Sequence, residues 1–497
     1  MAMVPGAKRR RLGEGEEEEL VDRISRLPDG ILGDIVSFLP TKDGARTQLL
    51  SSRWRPIWRA APLNLDLPAA HTHSKRIRAD EVSRILSAHQ GPGRRFCTQL
   101  EYLDSGDRSA ALDRWLRSPA LDKLQELEIH LHHSQPSPPP PLPESVPRRF
   151  SSTLRAASFG GCSLPEGSRG NPLQFPLLKQ LTLLDVTVSE ASLGALVAAC
   201  PALESLLLTN IMGCSRFQIV SPSLRSIGLR PCYGRGRRTN LQRLIIIKDA
   251  PHLERFLCFE TGTDDMKITV SVMSAPRLHV LALLCVHSIR HDAGSITFQF
   301  ASTSFQIEVP LPGHDVNTYI YIVCYTQRSC IVSLMAPVHS VKVLALTQQD
   351  LCLDMVINFL KCFPCLEKLY IKTHNTVEKN VWRNKYKNLI GTLEIRLKKI
   401  VLRYYRGNAS HVNFAKFFVL NARMLQSMKL DLLDRHPSNA WIERQHGLLQ
   451  IKNKASRDAQ FDFVSNNSHP LPFRLTHVEQ VHDLSTADPF ERFHDWI

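Results

Sequence analysis

No run of eighteen uncharged apolar residues occurs in the 497-residue chain, which argues against a membrane-spanning helix. The opening stretch MAMVPGAKRRRLGEGEEEEL has no apolar core of the kind a secretory signal needs. The expected location is therefore the nucleus or the cytoplasm. Catalytic signatures are equally scarce. There is no G-x-S-x-G elbow, and GRGRR lacks the lysine and the helix context of a phosphate-binding loop. Two histidine clusters, His71–His73 and His130–His133, have no cysteine or carboxylate pair at ligand spacing, so they are expected on loops or the surface rather than on a metal. No catalytic residue, metal or cofactor is expected.

Twelve cysteines are spread from Cys97 to Cys365, mostly single and inside apolar runs such as VAACP and FLCF. In a reducing compartment they are expected to be small core residues. The single C-x-x-C, Cys362 and Cys365 in KCFPCLEKL, has no second ligand pair nearby that would make it a zinc or redox site.

What is abundant is positive charge and leucine. The net charge of +15 is concentrated. From Lys379 to Arg406 there are nine Lys or Arg against one Glu, and a second knot, RPCYGRGRR, spans Arg230–Arg238. Neither has aromatic residues interleaved in a stacking pattern, so a solvated basic face is the plainer reading and nucleic-acid binding the alternative. Residues 1–19 carry a basic run (Lys8–Arg11) and then an acidic run (Glu14–Glu19), and are expected to be a disordered charged tail. AKRRR within it is a candidate nuclear import signal.

The next segment has helix grammar. Pro28 suits a first turn, where its missing donor costs nothing. Ile31, Leu32, Ile35, Phe38 and Leu39 repeat at helical spacing, and Pro40 ends the run. Thr41 is placed to cap a second helix. Trp54 and Trp58 share one side of a short third helix, which must begin close to Pro56. Three short helices in under fifty residues bury little by themselves, so such a unit completes its core against something else.

The stretch DRISRLPDGILGDIVSFLPTKDGARTQLLSSRWRPIW strongly resembles the F-box in its plant form. Asp22, Ile24, Leu27, Pro28, Leu32, Ile35, Phe38, Leu39, Pro40, Ala45, Thr47, Leu50, Ser51, Arg53, Trp54 and Trp58 fall where that pattern has them. The resemblance implies docking on a Skp-type adaptor, and through it on a cullin, within an SCF ubiquitin ligase. The residues expected to dock are Leu27, Pro28, Ile31, Leu32, Ile35, Leu39, Pro40 and Trp54, some of which must pack the unit's own core instead.

Beyond residue 67 one frame, L-x-x-L-x-L, recurs. It begins at Leu124, Leu178, Leu203, Leu224, Leu253, Leu278, Val341, Leu366, Leu397 and Leu425, with a degenerate copy at Leu154. The starts lie 21 to 31 residues apart, except for one gap of 63 between Leu278 and Val341. This is the leucine-rich-repeat period. Each repeat turns a strand's apolar residues into a shared core that the next repeat covers. ASLGALVAACP and LDMVINFLKCFP are expected to be returning helices, and SITFQFASTSFQIEV, in the long gap, to be strand. HHSQPSPPPPLPESVP (His132–Pro147) is expected to be a stiff surface loop. Near the C-terminus, LKKIVLRYYRGNASHVNFAKFFVLNARMLQSMKL resembles the FBD domain, through Gly407, Phe414, Phe417, Asn421, Ala422 and Leu425.

The expected fold is α/β: a short three-helix F-box followed by a leucine-rich-repeat solenoid, with a strand plus helix per repeat and a curved parallel sheet. The expected boundaries are a tail at 1–19, the F-box at 20–67, repeats at 68–395 with a proline-rich loop at 134–147, and FBD-like repeats and tail at 396–497. The resemblance implies a non-catalytic adaptor that holds an unknown target protein for ubiquitination. No membrane is expected. Two alternatives stay open: a basic repeat protein binding nucleic acid or another anionic partner, and a scaffold whose F-box does not lead to degradation.

Overall fold

The structure, a computed structural model, describes residue 24 and residues 26–39, 41–67, 79–99, 108–131, 139–165, 174–230, 242–261, 267–286, 295–300, 303–308, 330–333, 337–348, 351, 353–373, 394–432 and 437–465. The expected tail at 1–19 and Pro40 lie outside these.

Three helices open it: α1 (Asp29–Ser37), α2 (Thr41–Arg46, running on into a 3-10 turn to Leu49) and α3 (Trp54–Ala60). Pro28 stands one residue before α1, as its extended N-cap. Pro56 lies in the first turn of α3, where an N–H would have no helical partner. Thr41 does not cap α2. Its hydroxyl instead donates to the carbonyl of Asn64 and accepts from the N–H of Asp66 at 3.2 Å, tying α2 to the first strand of the sheet.

Fourteen parallel strands among the described residues make one sheet. In chain order they are β1 (Leu63–Asp66), β2 (Gly93–Gln99), β3 (Glu126–His130), β4 (Ala156–Gly160), β5 (Gln180–Leu184), β6 (Ser205–Thr209), β8 (Ser226–Arg230), β10 (Arg255–Thr261), β12 (Val280–Val286), β16 (Val343–Gln348), β17 (Lys368–Thr373), β18 (Lys399–Tyr405), β19 (Ser427–Leu432) and β20 (Gln460–Ser465). A second sheet of six strands holds β7 (Arg216–Val220), β9 (Gln242–Asp249), β11 (Lys267–Val272), β13 (Ser295–Phe300), β14 (Thr303–Glu308) and β15 (Cys330–Ser333).

The repeat frame explains the long sheet. Its first leucine precedes each strand and is buried in all eleven copies, from Leu124 to Leu425. Its second position forms one ladder across the whole sheet: Leu65, Phe96, Leu127, Ala157, Leu181, Leu206, Ile227, Phe256, Leu281, Leu344, Leu369, Ile400, Met428 and Phe461. A slip of one residue in any strand would put that strand's core residues on the other face, so burial of the row fixes the register. The strand-end loops keep the same register. Gly161, Asp185 and Asn210 follow β4, β5 and β6 in left-handed backbone, and the amide of each donates to the next repeat.

Helices return the chain on the core side in most repeats: α4 (Ala79–Ala88), α5 (Arg108–Leu116), α6 (Ser145–Phe150), α7 (Glu190–Ala198), α8 (Leu353–Cys362), α9 (Ala409–Asn421) and α10 (Asn439–Leu448). Between α7 and α8 strands do this work. Phe217, Ile219, Ile245, Ile247, Val270 and Val272 of the second sheet join the same core as the ladder. The 63-residue gap hides no further strand of the long sheet, because β12 pairs directly with β16, Val280 opposite Val343. Its residues continue the second sheet instead, with β13, β14 and β15 antiparallel. The proline-rich stretch is loop only in part. Ser145–Pro147 form the start of α6, with Val146 buried.

The sheet runs through both segment boundaries expected from sequence, since β1 begins before residue 67 and β18–β20 follow residue 396. The three-helix unit is bonded to the first repeat through backbone. The amides of Gln90 and Gly91 donate to the carbonyl of Arg59 at 3.1 and 2.9 Å. A side chain at Gly91 would collide with the carbonyls of Ala60 and Ala61, so this approach requires glycine.

Candidate functional site: an apolar helical face and the outer face of the sheet

Leu32, Val36, Trp54, Ile57 and Ala61 form a small core inside the three-helix unit, with Leu27 and Trp58 packed against it. On α1 this uses one stripe, Leu32 and Val36. The neighbouring stripe, Ile31, Ile35 and Phe38, at i, i+4 and i+7, faces away and is exposed, Ile31 by 48 % and Phe38 by 71 %. Leu49 and Leu50, after α2, are exposed too, Leu49 by 85 %. Arg53 holds the start of α1, donating to Asp29 at 2.8 Å and to the Leu27 carbonyl at 2.6 Å. The ring of Phe38 lies beneath the guanidinium of Arg94, 5.4 Å away, at the junction with β2.

Geometry thus divides the residues expected to dock. Leu32 and Trp54 are interior, because their side chains are the unit's own core. Ile31, Ile35 and Pro28 are exposed, while Leu27 and Leu39 are half-buried. Pro40 lies outside the described residues. Phe38, Leu49 and Leu50, not counted among the docking residues from sequence, are exposed apolar residues as well. The signal was present in the pattern: α1 has two adjacent apolar stripes, and a helix of nine residues in a unit this small can bury only one.

The sheet face opposite the core is the second candidate surface. Residues alternate between faces along each strand, so the positions between the core residues line up across repeats. One such row runs Asp66, Cys97, Glu128, Ser158, Thr182 at the N-terminal end. There Arg95 bridges Asp66 at 2.7 Å and Glu126 at 3.0 Å. Cys97 donates from Sγ to Glu128 Oε2 at 2.9 Å. Burial, together with the neighbouring Glu128 charge, pushes this thiol well up, so it stays protonated as a donor and is no nucleophile. Cys97 is therefore no simple core cysteine, and His130 is no loop histidine: it lies in β3, 3.1 Å from Ser158 Oγ. His132 and His133 lie outside the described residues.

The row continues through an apolar centre, Leu207, Leu257, Ala282, Ala345, Tyr370 and Val401, all buried. It becomes basic at the C-terminal end. Lys368 and Lys372 on β17, Lys399 and Arg403 on β18 and Lys429 on β19 share this face with two acids, Asp431 on β19 and Asp462 on β20. Lys399 lies 5.8 Å from the Tyr370 ring and Lys372 5.3 Å from the Tyr404 ring. Of the basic stretch Lys379–Arg406, only residues from 394 onward are described, and of Arg230–Arg238 only Arg230. Cys362 is buried, and Cys365 Sγ is 3.7 Å from His339 Nδ1. Among the described residues no group of three or more His, Cys, Asp or Glu could hold a metal ion. No described helix is long and apolar enough to cross a membrane.

A model of the leucine-rich repeats of FBD-associated F-box proteins matches residues 112–312 and 320–371, together just over half of the chain, and an FBD model matches residues 387–430. The chain belongs to the FBD-associated F-box proteins with leucine-rich repeats. Among relatives from Arabidopsis thaliana, the FBD-associated F-box protein At5g27750 is 23 % identical over 84 % of this chain and 94 % of its own length. The putative F-box/FBD/LRR-repeat protein At5g44950 is 23 % identical over 88 % of this chain and 98 % of its own. The F-box/LRR-repeat protein At3g03360 is 28 % identical over 54 % of each, so this chain spans about half the length of that relative.

In this family's terms, the FBD segment is two more repeats of the same sheet. Its signature residues are structural. Gly407 has φ +69°, and any Cβ there would press on Gln445 and Trp441. Asn408 caps α9 by accepting from the His411 amide at 2.9 Å, and His411 Nδ1 accepts from the Arg406 amide at 2.9 Å. Phe414, Phe417, Ala422 and Leu425 are core, and Asn421 donates to the Phe417 carbonyl at 2.7 Å.

Proposed function

We propose that this chain is the substrate-recognition subunit of an SCF-type (Skp–cullin–F-box) ubiquitin ligase. Its three-helix unit docks on a Skp-type adaptor, and through it a cullin, while the outer face of the repeat sheet holds a target protein. The chain supplies proximity and orientation, and other subunits supply the chemistry. It acts in the nucleus or cytoplasm.

The observation that carries this reading is the uncovered stripe Ile31, Ile35 and Phe38, beside a core that already has its own residues. Large exposed apolar side chains grouped on one face mark a partner surface. Pro28, Leu27 and Leu39 border that stripe, whereas Leu32 and Trp54 support it from inside. The test is a pull-down of purified Skp-type adaptor at about 150 mM salt, where long-range charge effects are screened. The wild-type chain should bind. An Ile31→Asp, Ile35→Asp double variant should lose binding while keeping its thermal unfolding midpoint. Equal binding by both would end the docking assignment.

A further inference from the structure

Lys372 lies in the middle of β17 on the face opposite the core, and its residue is only 6 % exposed. Its register partner on β18 is Arg403, whose own partner on β19 is Asp431. Asp431 is engaged on both sides, 3.7 Å from Arg403 Nε and 3.1 Å from Lys429 Nζ. Lys372 has no acidic partner among the described residues. Its neighbours are the Tyr404 ring and the like charge of Arg403. Burial and Arg403 together push its ammonium down to about 8.

Burying an ammonium that has no acidic partner beside another cation costs free energy. With Lys368, Lys399 and Lys429 on the same three strands, the local charge is positive, five cations against Asp431 and, opposite Lys429 on β20, Asp462. A compact anion would convert this arrangement from strained to satisfied. A phosphate group fits the chemistry, offering several acceptor oxygens to an ammonium and a planar guanidinium at once.

We propose that Lys372 and Arg403 form a phosphate-binding site on the C-terminal end of this face, and that its ligand is a phosphorylated side chain of the target. This rests on the reading that the face holds a target.

The test follows thermal unfolding of the full chain at pH 7.5 and constant ionic strength. The probes are a neutral Gly/Ser peptide with one phosphoserine, its unphosphorylated form, and inorganic phosphate. The phosphopeptide should raise the wild-type midpoint and the plain peptide should not. In Lys372→Met the apparent dissociation constant should rise at least about tenfold, as expected for losing a charge-assisted contact. Without ligand, Lys372→Met should be as stable as the wild type or more so, because a lone buried charge has gone; a control, Lys123→Met, should change nothing. A response to inorganic phosphate but not to the phosphopeptide would overturn the target assignment. No response to either, an equal response in Lys372→Met, or a clear loss of stability in that variant would overturn the site. The adaptor pull-down, repeated with Lys372→Met, should be unchanged. Failure of wild-type docking there counts against the ligase reading, and failure of the phosphate response against this one.

Discussion

The three-helix unit and the FBD segment each carry a family signature, and the two signatures do opposite things. In the first, half of the large apolar residues, Ile31, Ile35, Phe38, Leu49 and Leu50, stay in solvent although a core lies beside them. In the second, Gly407, Phe414, Phe417, Asn421, Ala422 and Leu425 are all consumed in shaping and filling a repeat. A signature is thus no guide to a binding site until its residues are sorted by what they already touch. Where the fold leaves them uncovered, a partner is the remaining explanation; where it uses them, packing is sufficient.

The sharpest way to break this contrast is to truncate each signature and read stability and docking separately. Phe414→Ala removes a fully buried ring from α9 and should destabilise the C-terminal repeats by about 3–5 kcal/mol, with adaptor binding retained. Urea unfolding together with the pull-down measures both. The Ile31→Asp, Ile35→Asp pair should do the reverse, abolishing docking while shifting stability by no more than about 0.5 kcal/mol, the usual range for surface changes. If Phe414→Ala abolished docking in a chain still folded at its N-terminal end, the FBD segment would be part of the interface and the contrast would fall. Gly407→Ala is a milder probe of the same segment. A left-handed backbone and a Cβ pressed against Gln445 and Trp441 should together cost about 2 kcal/mol, again without loss of docking.

Much of this fold was legible because its signal is repeated. Every frame start from Leu124 to Leu425 lies where the spacing put it, since one leucine-sized hole per repeat leaves little choice. The strands β1, β2 and β20 are not legible as repeats because their frames are imperfect, with Pro62, Gly93 and Asp458 where the other repeats have the first leucine. The second sheet was hidden for another reason. RFQIV and ITVSV alternate as strands do, but a periodicity cannot say that a strand stands where neighbouring repeats have a helix. The candidate docking surface was only half legible: the apolar residues of α1 were visible, but which stripe turns inward depends on where Trp54 and Ile57 arrive from α3. Arg403 was visible only as part of the basic run Lys379–Arg406 and Lys372 lies outside that run, because their pairing is a matter of register between strands about thirty residues apart.

A pH-dependent effect also separates the two regions, by its size. His411 is buried in the FBD segment, and burial, then the charge of Arg406, pushes its imidazole down to about 4 from an ordinary 6.5. Its Nδ1 accepts the Arg406 amide, so the neutral ring is the form the fold uses. An unfolded chain takes up a proton as pH falls through 6.5, while the folded chain does so only near 4, so stability is lost across that interval and is complete above it. At pH 5 the loss should reach about 2 kcal/mol. It should appear as faster hydrogen exchange in α9, after correction for intrinsic rates, with a smaller response at the three-helix unit, where burial also pushes His89 down beside Trp58 and the Ala61 carbonyl. His411→Asn keeps an acceptor for the Arg406 amide but cannot titrate, so it should flatten the dependence. A slope that survives this substitution would mean another group titrates there, and acid sensitivity would no longer distinguish the two ends of the chain.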